Sequence, residues 1–135
     1  MSRVIKFRAW NKDHGFIGLV TRLDFYNGLV IVDHPIKGTS HTFGLIHVDL
    51  MQFTGLKDSE GVEIYEGDVL VPADYKKVKR FNSVVIFHKG CFMLDLNAPL
   101  ITARKPLYHS QNLAAKAQNE WAVIGNIHAN PDLLT

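Results

Sequence analysis

"FTGLKDSEGVEIYEGDVL", residues 53–70, sets three glycines and five acidic side chains between two apolar patches. The stretch reads either as a carboxylate site for chemistry or as a series of turns in a sheet. General acid and base work needs two carboxyl groups whose surroundings drive their pKa values apart. Here Asp58, Glu60, Glu66 and Asp68 lie close to Gly61 and Gly67. An Asp near a turn glycine accepts main-chain N–H groups and fixes the turn. The spacing also departs from that of a helix-loop-helix calcium loop. The structural reading therefore leads. Asp58 to Gly61 is a turn, Glu63 to Tyr65 a short strand, and Glu66-Gly67-Asp68 a second turn launching Val69 to Val71, with Pro72 as its stop.

Upstream, "VIKFRAW" at 4–10 alternates, with Val4, Lys6 and Arg8 on one face and Ile5, Phe7 and Ala9 on the other. "NKDHG" turns the chain, and "FIGLVTRLDF" returns to form a hairpin. Asn27-Gly28 carries the signature of a two-residue type I′ turn between Leu23–Phe25 and Leu29–Val32. His34 to Ser40 is a loop. Residues 41–53 fit either a strand or a short helix, with strand preferred through Ile46.

Downstream, the polar "ADYKKVKRFN" is a basic connection. "SVVIFH" and "CFMLDL" flank Lys89-Gly90 as another hairpin, whose first arm is apolar on both faces and so central in its sheet. Two prolines make 97–106 irregular. Ser110 caps a short helix through "SQNLAAKAQNE", with Leu113, Ala114 and Ala117 on one face. "WAVIGNI" is the last strand, with Ala122, Ile124 and Asn126 on one side and Trp121, Val123, Gly125 and Ile127 on the other.

The chain of 135 residues, 47% hydrophobic, has room for one cooperative core. Its Val, Ile, Phe and Tyr occur in short runs between turn residues, which predicts a mainly β fold. A net charge of +2 is too mild to make nucleic acid the leading partner on charge alone. The single Cys91 forms no internal disulfide, and the N-terminus has no signal-peptide run, so a cytoplasmic location is expected. No apolar stretch approaches the roughly 20 residues that span a bilayer.

The side chains offer three chemistries. Seven histidines (His14, His34, His41, His47, His88, His109 and His128) invite a metal, yet none forms HxxxH or HxH, so no metal or other cofactor is expected. Cys91, after Gly90 in an apolar run, reads as a small buried thiol, and no catalytic residue is assigned. Lys76, Lys77, Lys79 and Arg80, flanked by Tyr75 and Phe81, form the strongest functional candidate. Such cations neutralise phosphates, and such aromatics stack on unpaired bases.

Three stretches, "IKFRAW" at 5–10, "MQFTGLKDSEGVEIYEGDVL" at 51–70 and "WAVIGNIHANPDLL" at 121–134, resemble the YopX-like family of phage and prophage proteins. The resemblance implies an SH3-like barrel over 51–135 with an N-terminal β-hairpin extension over 1–50, within one YopX-like domain, and it implies no enzyme. Its matched residues read as fold determinants: Gly55, Asp58, Gly61, Gly67, Asp68, Gly125 and Asn126 holding backbone geometry, and Phe7, Trp10, Tyr65, Val69, Trp121 and Ile124 in packing. The expectation is a mainly β binding module whose partner is a host or phage protein, with self-association open through sheet edges. The alternative is a nucleic-acid-binding barrel using the basic loop.

Overall fold

Period-two alternation in "FRAWN", β1 (Phe7–Asn11), turns Ala9 and Asn11 inward, where both are buried. The computed structural model describes residues 3–72, 82–98, 101–106 and 121–134. They divide into two units, with the boundary between Phe53 and Thr54.

In the first unit β1 is followed by β2 (Phe16–Asp24), β3 (Leu29–Asp33), β4 (Ser40–Gly44) and the start of β5 (Val48–Lys57). Their order is β4-β3-β2-β1-β5, with antiparallel neighbours. The predicted hairpin is therefore the middle of a larger meander. Period-two alternation sends Val30 and Val32 inward, where they join Ala9 and Val48; Phe16, Val20, Leu23, Phe43, Leu45 and Leu50 pack around them.

Three details depart from the sequence reading. The first strand begins at Phe7, and Val4 and Ile5 are exposed because neither lies in the ladder. Asn27-Gly28 is not a two-residue turn: the last β2–β3 pair is Asp24 with Leu29, leaving a loop over 25–28. The Asp24 carboxylate holds that loop, taking the Asn27 main-chain N–H at 3.0 Å and its side-chain amide at 2.8 Å. With a side-chain clasp available, only Gly28 enters the left-handed region. Residues 41–53 are neither one strand nor one helix, since a single 3-10 turn (Leu45–His47) separates β4 from β5.

The second unit contains the end of β5, β6 (Glu63–Tyr65), β7 (Asp68–Pro72), β8 (Ser83–His88), β9 (Cys91–Ala98), β10 (Ile101–Pro106) and β11 (Trp121–Asn126). A five-stranded antiparallel sheet runs β10-β9-β8-β7-β11. It forms a small, barrel-like β fold. Ile64, Leu70, Val85 and Leu94 make its core, with Leu56, Phe92, Trp121 and Val123 against them. Val69, Leu70 and Val71 are all fully buried, so β7 is covered on both faces.

β8 lies between β7 and β9, as its doubly apolar pattern predicts. Its turn to β9 is a two-residue turn of type I′: Lys89 and Gly90 have φ of 50° and 81°, and His88 pairs with Cys91. Cys91 is exposed, because it opens β9 immediately after that turn, and it is not the buried thiol expected. Of residues 97–106, read as irregular, Asn97 and Ala98 end β9 and 101–106 form β10 against it. Pro106 is tolerated there because β10 is an edge strand and Pro106 its last residue. A bulge at Ile124 breaks the expected alternation of β11, since Val123 pairs with Leu70 and Gly125 with the adjacent Val69. The helix predicted from Ser110 lies outside the described residues.

Candidate binding surface

Two of the five acids of residues 53–70, Asp58 and Asp68, bond to main chain. Asp58 is 4% exposed and its Oδ1 accepts the N–H groups of Glu60 and Val62, each at 2.8 Å. Its Oδ2 accepts the Val123 N–H at 3.0 Å, which ties the β5–β6 turn to β11. Ser59 reinforces the tie by donating its N–H to the Trp121 carbonyl at 2.9 Å. Asp68, 1% exposed, accepts the Tyr65 N–H at 2.8 Å and closes the next corner. Hydrogen bonds from main-chain N–H groups to a carboxylate are stronger than neutral ones, so both aspartates hold their turns.

Gly61 and Gly67 stand in turns with φ of 84° and 81°, whereas Gly55 lies inside β5 with φ of 86°. Gly125 is constrained differently, because a Cβ there would come within 2.6 Å of Asn130 Oδ1. Asn126 Oδ1 accepts the N–H groups of His128 and Ala129, shaping the turn after β11. Tyr65 and Val69 are buried, and Phe7, Trp10, Trp121 and Ile124 are half-buried. The six residues of the basic candidate, Tyr75, Lys76, Lys77, Lys79, Arg80 and Phe81, lie outside the described residues.

Three of the seven histidines meet in the first unit. His34 packs on Phe16 at 4.7 Å between ring centroids, His41 stands 6.3 Å from His34, and His14 stacks on Phe43 at 5.4 Å. His34 Nδ1 accepts the N–H groups of Ile36 and Lys37 at 3.2 and 3.1 Å. Burial, then Lys37 and His41, hold its pKa below the ordinary imidazole value. The cluster thus fixes the β3–β4 loop. Among the described residues no three His, Cys, Asp or Glu side chains gather as a metal-binding group.

The surface best suited to a partner was missed by sequence reasoning. Phe25 and Tyr26, at the tip of the β2–β3 loop, are 76% and 95% exposed, and Ile46 on the 3-10 turn is 91% exposed. The Leu45 N–H donates to the Gly28 carbonyl at 2.8 Å and brings these two tips together. Beside them a depression of about 140 Å³ is lined by Arg22, Asp24, Leu29, Ile31 and Thr42. Asp24 has its pKa lowered by the Asn27 side-chain and main-chain bonds that clasp the loop. The overlooked signal was "DFYNG", in which two adjacent aromatics sit inside a turn where neither can reach the core.

These features define a mainly β protein of two antiparallel units, whose buried aspartates serve its turns and whose exposed aromatics stand on a loop. The chain belongs to the YopX protein family, whose model matches residues 6–135. It is similar to the crystal structure of protein EF1440 from Enterococcus faecalis, at 31% identity and a TM-score of 0.66, over 99% of this chain and 100% of that one. The crystal structure of protein yopX from Bacillus subtilis shares the fold at 16% identity and a TM-score of 0.57, over 96% of this chain and 98% of that one. No curated protein matches the chain. Among the described residues no helix is long and apolar enough to cross a membrane.

Proposed function

We propose that the protein is a binding module, not an enzyme, and that it engages a host or phage protein through the tip formed by Phe25, Tyr26 and Ile46. The observation that carries the reading is the near-complete exposure of two adjacent aromatics on a loop clasped by Asp24. Exposed aromatics cost solubility and contribute nothing to the core of their own unit. At protein interfaces, by contrast, Tyr and Phe supply the anchors. Leu29 and the neighbouring depression offer apolar surface around those anchors, and Arg22 and Asp24 a polar rim.

The test is a pull-down from host lysate, with and without nuclease, using the wild type and a Phe25→Ser/Tyr26→Ser double variant. A nuclease-resistant protein band that the double variant loses, at unchanged melting temperature, is the expected result. Retention of the band by the variant refutes the tip. Loss of all binding on nuclease treatment would instead favour the basic residues Lys76, Lys77, Lys79 and Arg80 as a nucleic-acid contact.

A further inference from the structure

Two bonds fix the phase of the β3–β4 ladder. Leu45 donates to the Gly28 carbonyl, and His34 to the Thr39 carbonyl, each at 2.8 Å. In an antiparallel pair, bonded positions recur every second residue, so Val30 with Phe43 and Val32 with His41 are the bonded pairs between them. The main-chain N–H and C=O groups of Ser40, Thr42 and Gly44 consequently point away from β3. No described strand lies on that side of β4. Protein edges of this kind are ordinarily guarded by Lys, Pro or a bulge, and "SHTFG" has none of them.

We propose that this edge pairs with the same edge of a second copy, antiparallel about a two-fold axis through Thr42. In that register Thr42 faces Thr42 of the second copy, Ser40 faces Gly44, and His41 faces Phe43. Each outward residue exchanges both main-chain bonds with its opposite. Thr opposite Thr is a favourable cross-strand pair, and Gly44 leaves room opposite Ser40. His41 and Phe43 already lie nearly parallel within one copy, at 6.0 Å and 6°, so each can meet the other's counterpart on the same face. No like charges are opposed. A foreign strand would gain the main-chain bonds, but nothing in β4 selects one, whereas the two halves of β4 match each other. The two-fold uses the β4 edge of both copies, so the assembly closes as a dimer.

A five-residue edge falls far short of the roughly 1,200 Å² of a stable interface, so the dimer should be weak and form only at high protein concentration. Sedimentation of the full chain from about 10 µM to about 1 mM, at about 50 mM salt, should show the mass rising from 15.2 kDa towards twice that value. Thr42→Lys and Thr42→Asp should each be monomeric, since the variant side chain faces its own copy across the axis. An equimolar mixture of the two should dimerise. Thr42 is exposed, and unchanged melting would show that both variants fold. In the wild type, the amides of Ser40, Thr42 and Gly44 should exchange hydrogen more slowly at the higher concentration. A wild type that stays monomeric, exchange rates independent of concentration, or a mixture no more dimeric than its components overturns the proposal.

Discussion

Asp58 Oδ2 accepts the main-chain N–H of Val123 at 3.0 Å across a separation of 65 residues, while Oδ1 holds its own turn. A charged acceptor buried among N–H donors is worth more than a neutral one, and its removal leaves each donor without its bond. Asp58→Asn keeps one oxygen and should cost about 2 kcal/mol, because its amide nitrogen then faces an N–H. Asp58→Ala should cost about 3 kcal/mol or more. Urea unfolding at neutral pH checks the order, and an alanine variant as stable as the wild type would show that the turn needs no carboxylate.

Gly67 occupies the corner between β6 and β7 with φ of 81°, its N–H bonded to the Val85 carbonyl and its carbonyl to the Ile127 N–H. The bonds on both sides prevent the corner from relaxing into another turn. Asn enters the left-handed region more readily than a β-branched residue does. Gly67→Asn should therefore cost about 1 kcal/mol, and Gly67→Val about 3 kcal/mol or more. Thermal melting with the wild type above the Asn variant, and the Val variant lowest, is the expected order; equal melting temperatures would mean that the turn tolerates any side chain.

The same residue types explain what the sequence did and did not reveal. Asp58 and Asp68 were legible as turn formers because each serves main chain within a few residues, though the bond from Asp58 to Val123 has no local signal. Lys89-Gly90 and Asn27-Gly28 look alike as dipeptides. Only the first makes the tight turn, because Asp24 captures Asn27 and widens the second. The prolines near β10 suggested irregular chain, yet an edge strand that ends on Pro106 loses no ladder bond within the sheet. Phe25 reads as the end of a strand arm, and Tyr26 falls between that arm and the turn. Their exposure follows from loop length, which propensity does not determine.

Gly18 in β2 was not singled out by any motif, but it stands where two main chains approach. A Cβ at this position would collide with the Asp33 carbonyl oxygen and come within 2.6 Å of Val32 Cγ1. Backbone cannot yield as a flexible side chain can, so Gly18→Ala should destabilise the protein by at least about 3 kcal/mol. Gly44→Ala is the matched control, since its Cβ meets His47 Cδ2 at 3.2 Å and that exposed ring can swing away. Its cost should stay below about 1 kcal/mol. Chemical denaturation of both separates the positions, and a Gly18 variant no worse than the Gly44 variant would contradict the close approach.

His34 gives the fold a dependence on pH. Its Nδ1 must be unprotonated to accept the N–H groups of Ile36 and Lys37, and burial, Lys37 and His41 oppose the charged form. The folded pKa is therefore below the unfolded one, and the neutral ring stabilises the fold fully above about pH 6.5. As pH falls below that value, the unfolded chain takes up the proton first. Stability declines until pH passes the lower, folded pKa, where the slope ends. His34→Asn retains an acceptor near the Nδ1 position, as Asn does in such turns, but does not titrate. Melting temperatures between pH 8 and pH 5 should fall less steeply for this variant than for the wild type. Identical slopes would assign the dependence to other groups, and a variant unstable at pH 8 would show that the ring packed on Phe16 matters more than its acceptor.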